Sequence, residues 1–122
     1  MTFIFAALIA SLPAWWPPGE VTWLTPTEHD FGDMVQFEGR SVDFVWQNTT
    51  SDTLLIDNVR VTCGCTAPTW TYAPIPPGAT DTIMVGYDAK RPGYFRKTVK
   101  VFFSHRRTAH RLVVAGFVEE QE

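Results

Sequence analysis

Two thiols separated by a single residue, Cys63 and Cys65, are the only cysteines of the chain and the one place where reactive side chains converge in sequence. On an extended strand, residues i and i+2 point to the same side. Their Cα atoms then stand near the upper limit for a disulfide, so a bridge needs a bend, which Gly64 can supply. Three chemistries fit the pair. A local bridge, or two idle thiols, braces the exit of a strand, and an exported small domain favours the oxidised form. So small a ring removes little unfolded-state entropy and stiffens a loop more than it stabilises a fold. A readily reduced bridge instead exchanges with other thiols, although no Lys or Arg adjoins the pair in sequence to lower a thiol pKa. Two thiolates also suit Cu(I) or Zn²⁺, with further ligands drawn from His29, Met34, His105 or His110 if the fold brings one near.

Other chemical signals are weaker. Asp30-Phe31-Gly32 spells the kinase metal-binding triplet, but 122 residues are too few for a kinase and no Gly-rich phosphate loop accompanies it. Gly32 reads as a turn residue with Phe31 buried beside it. His29 and Asp30 are adjacent, so on a strand they face opposite ways and do not act as an acid/base pair. No Gly-x-Ser-x-Gly, His-Glu-x-x-His or supported Ser/His/Asp set occurs. The expectation is a chain with no catalytic residues and no cofactor. Asn48-Thr49-Thr50 is a formal glycosylation acceptor, meaningful only in a eukaryotic secretory pathway. Trp46 and Trp70 read as core or rim anchors, and an exposed Trp70 would favour carbohydrate stacking instead.

The elements that must position these residues are short alternating runs cut by turns. Residues 21–24 and 34–37 read as opening strands with His29 to Gly32 as the bend between them. In 41–48, Val42, Phe44 and Trp46 share one face. In 53–62 the apolar phase changes between Ile56 and Val59, which predicts a bulge around Asp57 and Asn58. Pro76-Pro77-Gly78 and Arg91-Pro92-Gly93 are turns, and Gly32, Gly64, Gly78 and Gly93 mark the bends of the fold. Ile83, Val85 and Tyr87 line one face of 81–88, and Phe95, Val99, Val101 and Phe103 one face of 94–104. In the last strand, 110–118, Gly116 sits where a neighbour's backbone or bulky side chain can approach. About seven strands with turns every eight to twelve residues predict an all-β, immunoglobulin-like β-sandwich.

Composition agrees. The chain is 45% hydrophobic, and its 9 Phe, 5 Trp and 3 Tyr are the bulky residues that sandwich cores use. A net charge of −3 with no basic stripe makes nucleic acid an unexpected partner; Arg106, Arg107, His110 and Arg111 flank a hairpin turn. Residues 3–12 form an apolar run of signal-peptide length, too short to span a bilayer, with Ala14 at a plausible cleavage point. No Lys or Arg precedes that run. The organisation expected is a signal-like segment and Pro-rich linker over 1–19, a sandwich over 20–118, and an acidic tail over 119–122. This predicts export to the periplasm or beyond, with no membrane span in the mature domain.

The order of motifs also resembles a known family. His29-Asp30-Phe31-Gly32, an apolar strand from Phe44 ending at Asn48, Cys63-Gly64-Cys65-Thr66, Pro74 to Gly78, Tyr87-Asp88, Pro92 to Lys97 and Gly116-Phe117-Val118 together resemble the bacterial domain of unknown function 1573. The likeness runs from near Trp23 to Val118; the missing basic start and short acidic end depart from it. The resemblance implies a hydin-like, immunoglobulin-like domain that tends to be exported, and says little about mechanism. The expected function is therefore a binding or structural module docking a protein or cell-envelope component. The alternative is a thiol redox or copper- or zinc-handling protein centred on Cys63 and Cys65.

Overall fold

The computed structural model describes residues 21–104 and 106–122. They form eight strands: β1 (Thr22–Trp23), β2 (Glu28–Val35), β3 (Arg40–Gln47), β4 (Ile56–Val61), β5 (Thr66–Thr69), β6 (Thr80–Tyr87), β7 (Gly93–Phe103) and β8 (His110–Glu119). One sheet has the order β1-β3-β6-β5 and the other β2-β8-β7-β4. Every pairing is antiparallel except β2 with β8, which run parallel.

Alternation drives this arrangement. Phe44 and Trp46 on β3, Ile83, Val85 and Tyr87 on β6, and Phe95, Val99, Val101 and Phe103 on β7 all point between the sheets and are buried. Leu112, Val114 and Val118 on β8 join those of β7 in the layer that faces β3 and β6. Burying a side chain of this size stabilises the fold by roughly 1.5–3 kcal/mol, so the inward faces fix the strand registers. A slip by one residue would turn Asp43 or Arg96 inward.

The apolar phase change in the fourth strand is a bulge, with the β4–β7 register shifting between Ile56 and Asn58. Leu54 lies outside that strand and makes a single bridge to Ile75. Two details differ from the sequence reading. The first expected strand is β1, but the expected bend from His29 to Gly32 and the start of the expected strand 34–37 form one strand, β2, whose register with β8 shifts between Asp30 and Asp33. The Asp30 carboxylate accepts the Gly32 N–H at 2.8 Å, and Gly32 sits at φ 70°, so the triplet is a turn folded into a bulge. Second, there are eight strands because β5 escaped notice behind Pro68. That strand is the edge of its sheet, the place where a proline's missing N–H is tolerated. The chain leaves the sheet of β4 before Cys63 and joins the other sheet as β5 after Cys65, so the cysteines do stand at a strand exit.

Gly78 and Gly93 also have positive φ, whereas Gly64 does not, so the cysteine turn makes no demand on glycine's left-handed freedom. Asn48 is fully buried at the end of β3. Its amide donates to the Asp52 and Ile75 carbonyls, both at 2.8 Å, and its Oδ1 accepts from the Thr50 N–H and hydroxyl. The formal glycosylation acceptor is thus a structural clamp on the 48–52 turn. The apolar run and linker expected over 1–19 lie outside the described residues.

Candidate functional site

Three connections meet at one end of the sandwich: residues 36–39 after β2, 62–65 after β4, and 88–92 after β6. Backbone and side-chain hydrogen bonds stitch them together. The Asp88 N–H donates to the Cys65 carbonyl at 3.0 Å, the Phe37 N–H to the Ala89 carbonyl at 2.9 Å, and the Gln36 side-chain amide to the Lys90 carbonyl at 2.9 Å. Loops tied this way present a fixed surface rather than three independent tips.

Cys63 and Cys65 are joined as a disulfide across a Cα–Cα distance of 5.2 Å. A tight turn shapes the pair. The Thr66 N–H donates to the Cys63 carbonyl at 3.2 Å, and the Cys65 N–H donates to Cys63 Sγ at 3.2 Å. Both cysteines are half-buried. Cys65 packs against the core and lines a cleft of about 370 Å³ on the outer side of the β3-β6-β5 sheet; Cys63 does not line it. Ser41, Gly86 and Ala67 lie in register across those three strands, and their small size makes the cleft. Arg40 and Asp88 also line it. Arg40 donates to the Phe31 carbonyl at 3.3 Å, which ties the cleft to the bulge of β2. Beneath it, Tyr87 has its phenol pKa raised, first by burial and then by the Asp88 charge, with Arg91 opposing.

No cation flanks the thiols in sequence, yet the structure sets Arg40 on the same cleft. Reasoning from sequence missed it because Arg40 and Cys65 come to line one cleft only through two strand pairings, β3 with β6 and β6 with β5. It also missed Phe37. This residue takes the third position of a turn closed by the Glu38 N–H to the Val35 carbonyl at 3.0 Å, with φ 70° and 65% exposure. That position normally holds Gly, and a bulky side chain in the left-handed region costs about 1–3 kcal/mol.

The remaining candidates lie elsewhere. His29 packs edge-on against Phe31 at 4.8 Å and lines a separate cleft with Glu28, Asp30, Tyr94 and Arg96. Glu28 and Arg96 form an exposed ion pair there, which raises the Arg96 pKa through that hydrogen bond and charge. Met34 is buried in the core. His110 accepts a hydrogen bond at Nδ1 from the Trp23 indole at 3.1 Å and packs on Phe103. His105 lies outside the described residues. Among the described residues, no three His, Cys, Asp or Glu side chains gather as a metal-binding set, and no helix is long and apolar enough to cross a membrane. Trp46 is wholly buried, while Trp70 is half-buried against Tyr72.

Two facing sheets, with a parallel pair at one edge and loops gathered at an end, define an immunoglobulin-like sandwich of the PapD-like type. The fold is similar to the ASH/PapD-like domain 7 of human CEP192, at 11% identity and a TM-score of 0.74 over 91% of this chain and 94% of that one. It is also similar to a protein of unknown function from Porphyromonas gingivalis W83, at 14% identity and a TM-score of 0.67. That match covers 88% of this chain and about half (51%) of that one. Identities this low establish the fold alone. The chain belongs to the family described as "Protein of unknown function (DUF1573)", matched over residues 22–118. No curated protein matches it in sequence.

Proposed function

We propose that the chain is an exported, non-catalytic binding or structural module whose stitched loop end docks a protein or cell-envelope component in the periplasm or outside the cell. Phe37 carries this reading. A 65% exposed aromatic held in a strained backbone conformation keeps most of its surface outside the core. Strain that persists at an exposed position points to a use outside the fold itself. Aromatic side chains are the usual anchors of protein interfaces, and sandwich domains commonly recognise partners through loops clustered at one end. The short, apolar run over residues 3–12 supports export.

The test is site-specific photo-crosslinking in the native host. A photoreactive residue replaces either Phe37 or Tyr72, which is equally exposed at 65% but sits on the connection between β5 and β6. A discrete adduct from position 37 that is missing from position 72 supports docking through the loop end. Identical adducts from both positions, or none from 37, reject it. Cell fractionation with an intact-mass measurement tests export separately.

A further inference from the structure

We propose that the Cys63–Cys65 bridge is a thiol–disulfide exchange site with a fixed polarity: a partner protein's thiolate attacks Cys65, and Cys63 leaves. Two observations carry it. Cys65 lines the cleft and Cys63 does not, so an incoming thiolate in the cleft meets Cys65 first. Cys63 Sγ already accepts the Cys65 N–H at 3.2 Å. Such a donor stabilises a departing thiolate, which makes Cys63 the better leaving group. The turn does not depend on the bridge. The Thr66 N–H to the Cys63 carbonyl, the Asp88 N–H to the Cys65 carbonyl, and the β5–β6 pairing hold it in either redox state.

The step balances. The partner sulfur forms a bond to Cys65 Sγ, the Cys63–Cys65 S–S bond breaks, and its electron pair departs on Cys63 as a thiolate. A second thiolate of the same partner then attacks the partner's sulfur in the mixed disulfide, and Cys65 leaves. The chain ends as a dithiol, reduced by two electrons, and the partner's dithiol ends as a disulfide. The partner class is thus a protein carrying two neighbouring reduced thiols. This exchange is stoichiometric and does not rest on Phe37 acting as an anchor.

The test uses the purified full chain with glutathione as the probe. The oxidised protein is mixed with reduced glutathione at neutral pH, quenched with acid, alkylated, and mapped by mass spectrometry. Glutathione is expected on Cys65 with Cys63 alkylated, in roughly tenfold excess over the reverse arrangement. In the reduced chain, Cys63 is expected to alkylate faster than Cys65 at neutral pH. A double variant, Cys63→Ser with Cys65→Ser, serves as the fold control and should keep the far-ultraviolet dichroism of the native chain. Glutathione on Cys63, or spread evenly, overturns the polarity. A bridge that resists millimolar dithiothreitol until the chain unfolds overturns the exchange itself, as does loss of the sheet signal on reduction.

Discussion

Tyr87 of β6 and Phe95 of β7 stack face to face across the two sheets, with ring centroids 3.6 Å apart and planes 8° from parallel. The pair joins the layers directly beneath the loop end, because Tyr87 is followed at once by Asp88, which holds the Cys65 carbonyl. Phe95 reaches this position by lying over Gly116. A Cβ built there would stand 2.9 Å from the Phe95 ring and 3.1 Å from the Gly32 carbonyl. The core and the candidate site therefore share one row of contacts.

Gly116→Ala is expected to destabilise the fold by about 1–3 kcal/mol, the usual cost of overpacking a filled core. Chemical denaturation measures it. Adding Phe95→Leu should recover part of the loss, since the clash is with the ring, and a double-mutant cycle should return a favourable coupling.

The raised Tyr87 pKa has a direction in pH. Its phenol holds its proton more tightly in the folded chain than in the unfolded one. That contribution is fully present below the ordinary tyrosine value of about 10 and is lost as pH rises through the higher folded value. Denaturant midpoints at neutral pH and well above 10 should fall further for the native chain than for Tyr87→Phe.

Asn48→Ala removes the amide donor to the Asp52 and Ile75 carbonyls and the acceptor of the Thr50 N–H and hydroxyl, while Ile75 keeps the Leu54 N–H and Thr50 keeps the Asp52 carbonyl. A loss of about 2–4 kcal/mol is expected. Equilibrium unfolding gives the magnitude, and hydrogen exchange should show the 48–52 turn opening first. Asn48→Asp, which keeps the acceptor but not the donors, should lose less of the Thr50 protection than Asn48→Ala.

Phe37→Gly removes the left-handed strain at an exposed turn. Thermal unfolding should show stability unchanged or raised by up to about 1 kcal/mol, while the partner adduct described above disappears. An aromatic needed for folding would instead give a clear loss of stability.

Much of this molecule was legible in the chain. Strands with one apolar face, such as Phe44 with Trp46 or Val99 with Val101 and Phe103, could bury that face only between two sheets, so period-two alternation determined the sandwich. The bulge after Ile56 showed as a break in that period. The space at Gly116 showed as a glycine inside an otherwise bulky strand. Local turn chemistry, set by neighbours in sequence, was equally readable at Gly78 and Gly93.

What the sequence by itself could not determine was which distant residues share a cleft. Strand pairing is non-local, and β3, β6 and β5 are joined by connections that carry no mark of their partners. Only that pairing sets Arg40 on the same cleft as Cys65, and only the loop stitching holds Phe37 in its turn. The strand β5 was hidden because Pro68 argues against a strand until an edge position is known. Alternation is a property of single strands and survives in one dimension. The neighbourhood of the cysteines is a property of the pairing between strands, which exists only once the sheets have closed on each other.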